Sequence, residues 1–430
     1  MKHIAALLMI LCLLIACLPA SAEDTLPQMG GEGENRMDVD KLAEERAAVW
    51  EAYAAKMLSD SALQQETEDQ AMVFGDATMR YFVTVIGNKP EDGYPLYIAL
   101  HGGGSSDTPD FNDSQWGDMQ NYYSYALKCG VYVAPRGVRD TWDTHFNPES
   151  YPLYDRLIQY MILTQDVDPN RVYLEGFSAG GDGVYAIAPR MADRFAAANM
   201  SSGHPNGVSM INMKNLPIQL QAGEFDTAYN RHTVTAEYDG YLNDLQAEYG
   251  GYEHRTLIHY NSGHNYADYN RKSIACMNDP QKWLKEGDRS FGMLDSFPPD
   301  YMKQFTRNPL PEEVIWDLAT RAELREVDSF YYLSAPKETK EGLIRASYDR
   351  DANRVTVNTE EVNGEFSILL NEQMVDFEKP IAFIVNGAEI TVKVNPDRAV
   401  LEKTTAERGD PYYQFEAEIA YAELDKLIQK

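Results

Sequence analysis

Residues 171–183 read RVYLEGFSAGGDG, and within them Gly176-Phe177-Ser178-Ala179-Gly180 sets a serine between glycines two positions away on either side. A chain that bends sharply from strand to helix needs small residues at those positions, and the bend exposes the central hydroxyl for reaction. A serine hydroxyl is a weak nucleophile: it needs a base to take its proton and a carboxylate to orient that base. Downstream, Asp226 in Ala222-Gly223-Glu224-Phe225-Asp226 and His264 in Asn261-Ser262-Gly263-His264-Asn265 provide both. Asp226 is favoured over Glu224 as the acid. His264 is favoured over His259, because His259 lies inside a strand pattern whereas His264 follows a glycine turn, where loops present reactive groups. Upstream, His101-Gly102-Gly103-Gly104 follows the apolar run ending at Leu100. Acyl transfer develops an oxyanion that glycine amides reach unobstructed. The expected donors are the amide of Ala179 and one from Gly103 or Gly104, with His101 shaping the loop. Trp142 and Trp116 are candidates to line the substrate pocket, and His204 to stand at its rim. Asp182 falls in the first turn of the expected helix, where a carboxylate is favourable. His145, His232 and His254 are scattered without ligand spacing, so no metal site and no diffusible cofactor is expected.

These residues sit at the ends of elements that the pattern makes legible. Apolar runs at 79–86, 96–100, 131–134, 171–174, 196–199, 217–221 and 256–259 read as strands. Helical stretches at 151–165, 181–192 and 234–249 separate several of them, and such alternation is the mark of a parallel α/β sheet. The catalytic unit is expected at 72–280. Ahead of it, 23–71 holds a Gly- and Glu-rich mobile leader and a helix over 37–59. Behind it, 281–345 is a connecting region. Strand patterns at 354–358, 366–370, 381–385, 390–394 and 413–419, with an Asn386-Gly387 hairpin turn, mark 346–430 as a small β-rich domain.

Residues 1–22 carry Lys2 and His3, an apolar run over 4–18 and a small-residue Ala20-Ser21-Ala22 site, the pattern of an export signal. Leu14-Ile15-Ala16-Cys17 also fits a lipoprotein site, which would anchor the chain at Cys17; without it, no membrane insertion is expected. A secreted or cell-surface location follows from either. With 38 Lys and Arg against 67 Asp and Glu the net formal charge is −29, which repels phosphate backbones and argues against nucleic acid as a partner. Outside residues 1–22 only Cys129 and Cys276 remain, and an exported chain could join them.

Together, Gly176-Phe177-Ser178-Ala179-Gly180-Gly181, His101-Gly102-Gly103-Gly104 and the Asp226 and His264 loops resemble secreted α/β-hydrolases of the polyhydroxybutyrate depolymerase and feruloyl esterase type. The stretches 182–195 and Gly203-His204-Pro205-Asn206 look like a bacterial branch of predicted serine esterases. Phe305-Thr306-Arg307-Asn308-Pro309 and Phe330-Tyr331-Tyr332-Leu333 match a C-terminal extension in that branch. The resemblance implies an α/β-hydrolase fold with a mainly parallel sheet. It also implies Ser178 as nucleophile, Asp226 and His264 as its partners, amides after Leu100 as the oxyanion hole, and a small-molecule or polymer-linked ester as substrate. Asn265 departs from the aromatic that often follows the family's histidine, which bears on pocket shape. Two other readings share these residues: a serine peptidase of the prolyl oligopeptidase type, whose large propeller is missing here, and an inert hydrolase homologue that binds a polymer.

Overall fold

The computed structural model describes residues 26–104, 109–124, 127–259, 261–265 and 305–429. The export segment and Cys276 lie outside them. A short strand, β1 (Gln28–Gly30), and two helices, α1 (Leu42–Leu58) and α2 (Ser61–Asp69), come first. Asp60 starts α2 by accepting the N–H groups of Ala62 (2.7 Å) and Leu63 (3.2 Å), so it fills donors that the helix cannot satisfy itself.

One eight-stranded sheet follows, from β2 (Ala71–Phe74), β3 (Ala77–Ile86), β4 (Tyr94–Leu100), β5 (Gly130–Pro135), β6 (Val167–Phe177), β7 (Ala197–Ser201), β8 (Ile218–Gly223) and β9 (His254–His259), in the order 2-3-5-4-6-7-8-9. Only β3 runs against the rest; β4 to β9 pair in parallel. Parallel strands need crossovers that cover both faces. The helices of this part of the chain are α3 (Pro109–Tyr122), α4 (Ser150–Thr164), α5 (Ala179–Ile187) and α6 (Arg231–Tyr249). Leu96, Ile98, Val172, Leu174 and Leu220 face the larger core, while Tyr97, Tyr132 and Tyr173 face a smaller one with Met119 of α3. This order with a single reversed strand is the α/β-hydrolase fold. Its register decides where chemistry can occur: Leu100 lies beside Gly176, Phe177 beside Ser201, and Gly223 beside His259, so the loops after β4, β6, β7, β8 and β9 emerge along one edge.

The remainder builds two further sheets. Its strands are β10 (Glu313–Asp317), β11 (Ser329–Phe330), β12 (Leu333–Ser334), β13 (Leu343–Asp349), β14 (Arg354–Glu360), β15 (Ser367–Leu370), β16 (Ile381–Val385), β17 (Ala388–Asn395) and β18 (Ala417–Ala420), and its helices α7 (Arg398–Arg408) and α8 (Tyr421–Ile428). The orders are 1-17-16-14-13-10 and 11-12-15-18. Asn386 (φ 48°) and Gly387 (φ 86°) turn the β16–β17 hairpin with the left-handed pair that such turns demand.

Three expectations change here. The leader is not free over 28–30: β1 pairs in parallel with β17, and Gly30 packs so closely on Asn395 that a Cβ would lie 2.2 Å from its carbonyl oxygen. Residues 313–317, read as connection, form an edge strand against β13. The terminal part is not all strand, because α7 and α8 lie within it. For α7 a start and a stop signal were present in the sequence: Asp397 accepts the Ala399 N–H (2.8 Å), and Gly409 ends the helix at φ 54°.

A buried chain of charges joins this region to the hydrolase sheet. Arg408 meets Asp193 (2.6 Å), Asp193 meets Arg325 (3.5 Å), Arg325 meets Asp155 (2.7 Å), and Asp155 meets Arg194 (3.1 Å). Arg194 then meets Asp410 (3.8 Å), which meets Arg307 (2.8 Å). All seven side chains are buried. The terminal guanidiniums of Arg408 and Arg307 both lie on the ring of Tyr413, 3.9 and 4.7 Å from its centroid.

Candidate active site

At the end of β6 the chain turns through Ser178 with φ 59° and ψ −119° into α5. A non-glycine residue is strained there, and its neighbours show what holds it. The Ser178 N–H donates to Ser201 O (2.9 Å) and its carbonyl accepts the Asp182 N–H (3.0 Å). A Cβ on Gly176 would fall 2.3 Å from Gly180 O, and one on Gly180 2.0 Å from Leu100 O. Glycine is therefore obligatory on both sides of the serine, as its spacing implied.

Asp226, Ser178 and His264 come together. His264 Nε2 is 2.9 Å from Ser178 Oγ, and His264 Nδ1 is 2.9 Å from Asp226 Oδ2. With Nδ1–H donating to the carboxylate, Nε2 is left as the acceptor for the serine proton. Asp226 is buried, Ser178 and His264 half-buried. His264 is steadied by Ser202 Oγ, which donates to its carbonyl (3.2 Å), and its ring lies 5.3 Å from that of Phe177. The other candidates point elsewhere: Glu224 Oε2 accepts the Asn261 N–H (2.8 Å), and His259 is buried with Nε2 3.0 Å from Gln221 Oε1.

The glycine loop after β4 lies against the serine. A Cβ on Gly102 would be 3.5 Å from Ser178 Cβ, and one on Gly104 3.2 Å from Ala179 Cβ. Of the three expected donors, Gly104 is excluded: its N–H donates to Asn112 Oδ1 (2.9 Å). The Gly103 N–H has no acceptor among the described residues, and that of Ala179, the first residue of α5, precedes the helix's own hydrogen-bond ladder. His101 is fully buried and uses both ring nitrogens: Nδ1 contacts Gly102 O (2.6 Å) and Nε2 accepts the Gly137 N–H (3.0 Å). Burial lowers it to about 4, with the Gly102 contact opposing and Arg136 assisting, so it is neutral at neutral pH. His145, also buried, donates from Nε2 to His101 O (2.8 Å). The pair braces the loop.

Trp142 is 60% exposed beside that loop, its carbonyl 3.2 Å from where a Gly104 Cβ would stand. Trp116 instead packs inward, donating to Ala134 O (2.8 Å). His204 is half-buried; its N–H donates to Asp182 Oδ1 (2.6 Å), and Asn206 N–H donates to its Nδ1 (3.1 Å). Asn112 and Arg231 were missed by the sequence reading. An arginine at the start of the helix after the acid was a signal for Arg231; nothing marked Asn112. Cys129 is half-buried, its Sγ 3.1 Å from Asn88 O.

No family model matches the chain. It is 28% identical over 159 residues to a bifunctional acetylxylan esterase/xylanase of Neocallimastix patriciarum, covering 36% of this chain and 22% of that protein. It is 30% identical over 113 residues to a probable feruloyl esterase C of Aspergillus terreus, covering 26% of this chain and 40% of the relative. The match thus spans less than half the length of either curated relative. Among solved structures it is similar to a poly(3-hydroxybutyrate) depolymerase from Bordetella parapertussis, at 14% identity and a TM-score of 0.39 over 54% of this chain and 97% of that one. It is also similar to a thermostable esterase, at 21% identity and a TM-score of 0.37 over 55% and 62%.

Proposed function

We propose that the protein is an exported serine carboxylic-ester hydrolase working through an acyl-enzyme. The observation that carries this reading is the hydrogen-bonded line Asp226–His264–Ser178 on a strained turn, beside a Gly103 amide with no acceptor among the described residues. In the proposed cycle Ser178 Oγ attacks the ester carbonyl as His264 Nε2 takes its proton. The developing oxyanion accepts from the N–H groups of Ala179 and Gly103, and His264 returns the proton to the departing alcohol. Water, deprotonated by the same nitrogen, then releases the acid and restores Ser178. Export rests on the pattern of residues 1–22. The names of the curated relatives direct the first assays to acetyl and feruloyl esters of plant polysaccharide. Large exposed aromatics lie near the site residues in the chain, Phe111 and Trp142 by Asn112 and the glycine loop and Phe225 and Tyr229 by Asp226, and we take them as surface for such bulky carriers.

Ser178→Ala tests the reading. The wild type should be labelled by a fluorophosphonate and turn over p-nitrophenyl esters, and the variant should do neither while keeping the wild-type Tm. Turnover of chromogenic dipeptides without ester turnover would replace the esterase reading by a peptidase one.

A further inference from the structure

We propose that Arg231 is a positioning residue for the acid–base pair, steadying Asp226 against His264. The inference rests on the triad reading above. Asp226 is 1% exposed and gives Oδ2 to His264, while no hydrogen-bond donor among the described residues reaches its Oδ1. A buried carboxylate oxygen left without a donor is costly unless a cation stands near it. That cation is Arg231, whose Nη1 lies 3.9 Å from Oδ1 and whose residue is 8% exposed.

The backbone is bent to bring it there. Between acid and arginine, Tyr229 (φ 56°, ψ 20°) and Asn230 (φ 56°, ψ 30°) are consecutive left-handed residues, each costing about 1–2 kcal/mol for a side chain with a Cβ. Such strain persists where the surroundings over-determine it. Here it turns the first residue of α6 back onto the acid loop, and the Tyr229 ring lies 4.9 Å from the guanidinium carbon. The His232 N–H, one residue further on, donates to Asp226 O (3.3 Å), and His232 Nδ1 lies 3.0 Å from the same oxygen. From α5, Asp182 faces the same group: burial pushes it up to about 6, opposed by the His204 N–H and by Arg231, His204 and His264. Arg231 therefore acts on two carboxyl groups, by contact with Asp226 and through its field on Asp182.

A positive charge at that place holds the Asp226 carboxylate and limits its swing, and with it that of the His264 ring. The full-length chain with Arg231→Met or Arg231→Lys is assayed on p-nitrophenyl acetate from pH 5 to 9, with fluorophosphonate labelling and Tm in parallel. R231M should lower kcat about tenfold with little change in KM, since the base is then held less firmly against Ser178 Oγ while the substrate still binds. R231K should restore part of kcat, as it keeps the charge and loses the planar guanidinium. Wild-type kcat in folded R231M would overturn the proposal. If R231M does not fold, R231K decides: reduced kcat at wild-type Tm supports the role, and unchanged kcat overturns it. Failure of the triad reading looks different, as an unlabelled and inactive wild type.

Discussion

Asn112 determines which glycine amide is left for the proposed oxyanion contact. Its Oδ1 takes the Gly104 N–H, while its Nδ2 donates to Asp140 Oδ1 (2.8 Å), so the amide is fixed at both ends. A Cβ on Gly103 would meet that Oδ1 at 2.4 Å, which places the side chain directly under the loop. Asn112→Ala should lower kcat/KM about tenfold by letting the Gly103 amide drift from the position a developing oxyanion occupies. Steady-state kinetics together with Tm check this; an unaltered kcat/KM would mean that the His101 and His145 contacts hold the loop alone. Serine, aspartate and histidine were legible in the sequence because the strand ends bring their loops to one edge, and chain order repeats that geometry. Asn112 and Arg231 were not, because each acts on a group set beside it only by the folded backbone.

At the scale of elements, the turn from β6 to α5 is one of the closest approaches in the hydrolase sheet, and two glycines separate steric necessity from mere propensity. A Cβ at Gly180 would press 2.0 Å from Leu100 O, and backbone cannot yield as a flexible side chain does. Gly180→Ala is expected to destabilise the fold by roughly 3 kcal/mol or more and to abolish labelling of Ser178. Gly117, inside α3, has nothing within 4 Å of an added Cβ. Gly117→Ala should instead stabilise by about 0.5–1 kcal/mol, through helix propensity alone. Thermal unfolding of the two variants tests both signs. The strands of the main sheet were legible because apolar runs covered on both faces leave a continuous pattern. β1 was not: three residues carry no period, and their place depends on β17 more than 350 residues away in the chain. For α7 the caps Asp397 and Gly409 stood in the sequence, but the strand pattern read on either side of it left no helix in the expected domain.

The whole molecule turns on a charge imbalance at the seam between the hydrolase sheet and the terminal region. Four arginines alternate there with three aspartates, all buried, and the two end cations share the Tyr413 ring. Burial alone would push Asp193 up, but Arg408, Arg325 and Arg194 together hold it below the usual carboxylate range; Arg307 and Arg194 do the same for Asp410. A folded carboxyl held low contributes stability that is present above its unfolded value, near 4, and is lost as pH falls through the folded value. Removing an anion from this chain should therefore hurt more than removing an end cation. Asp193→Asn leaves an excess of two buried positive charges and should cost about 3–5 kcal/mol. Arg408→Met brings the chain to balance, three against three, and gives up hydrogen bonds to Ser329 O and Oγ (both 3.2 Å), a loss of about 1–3 kcal/mol. Urea midpoints at pH 7 should rank wild type, R408M, D193N in falling order. Between pH 5 and 2 the wild type should lose stability more steeply than D193N, because the variant has already lost one of the carboxylates that acid would protonate. If D193N and R408M were equally stable, or D193N kept the wild-type acid slope, the seam would be held by its apolar contacts and the ionic chain would be incidental to it.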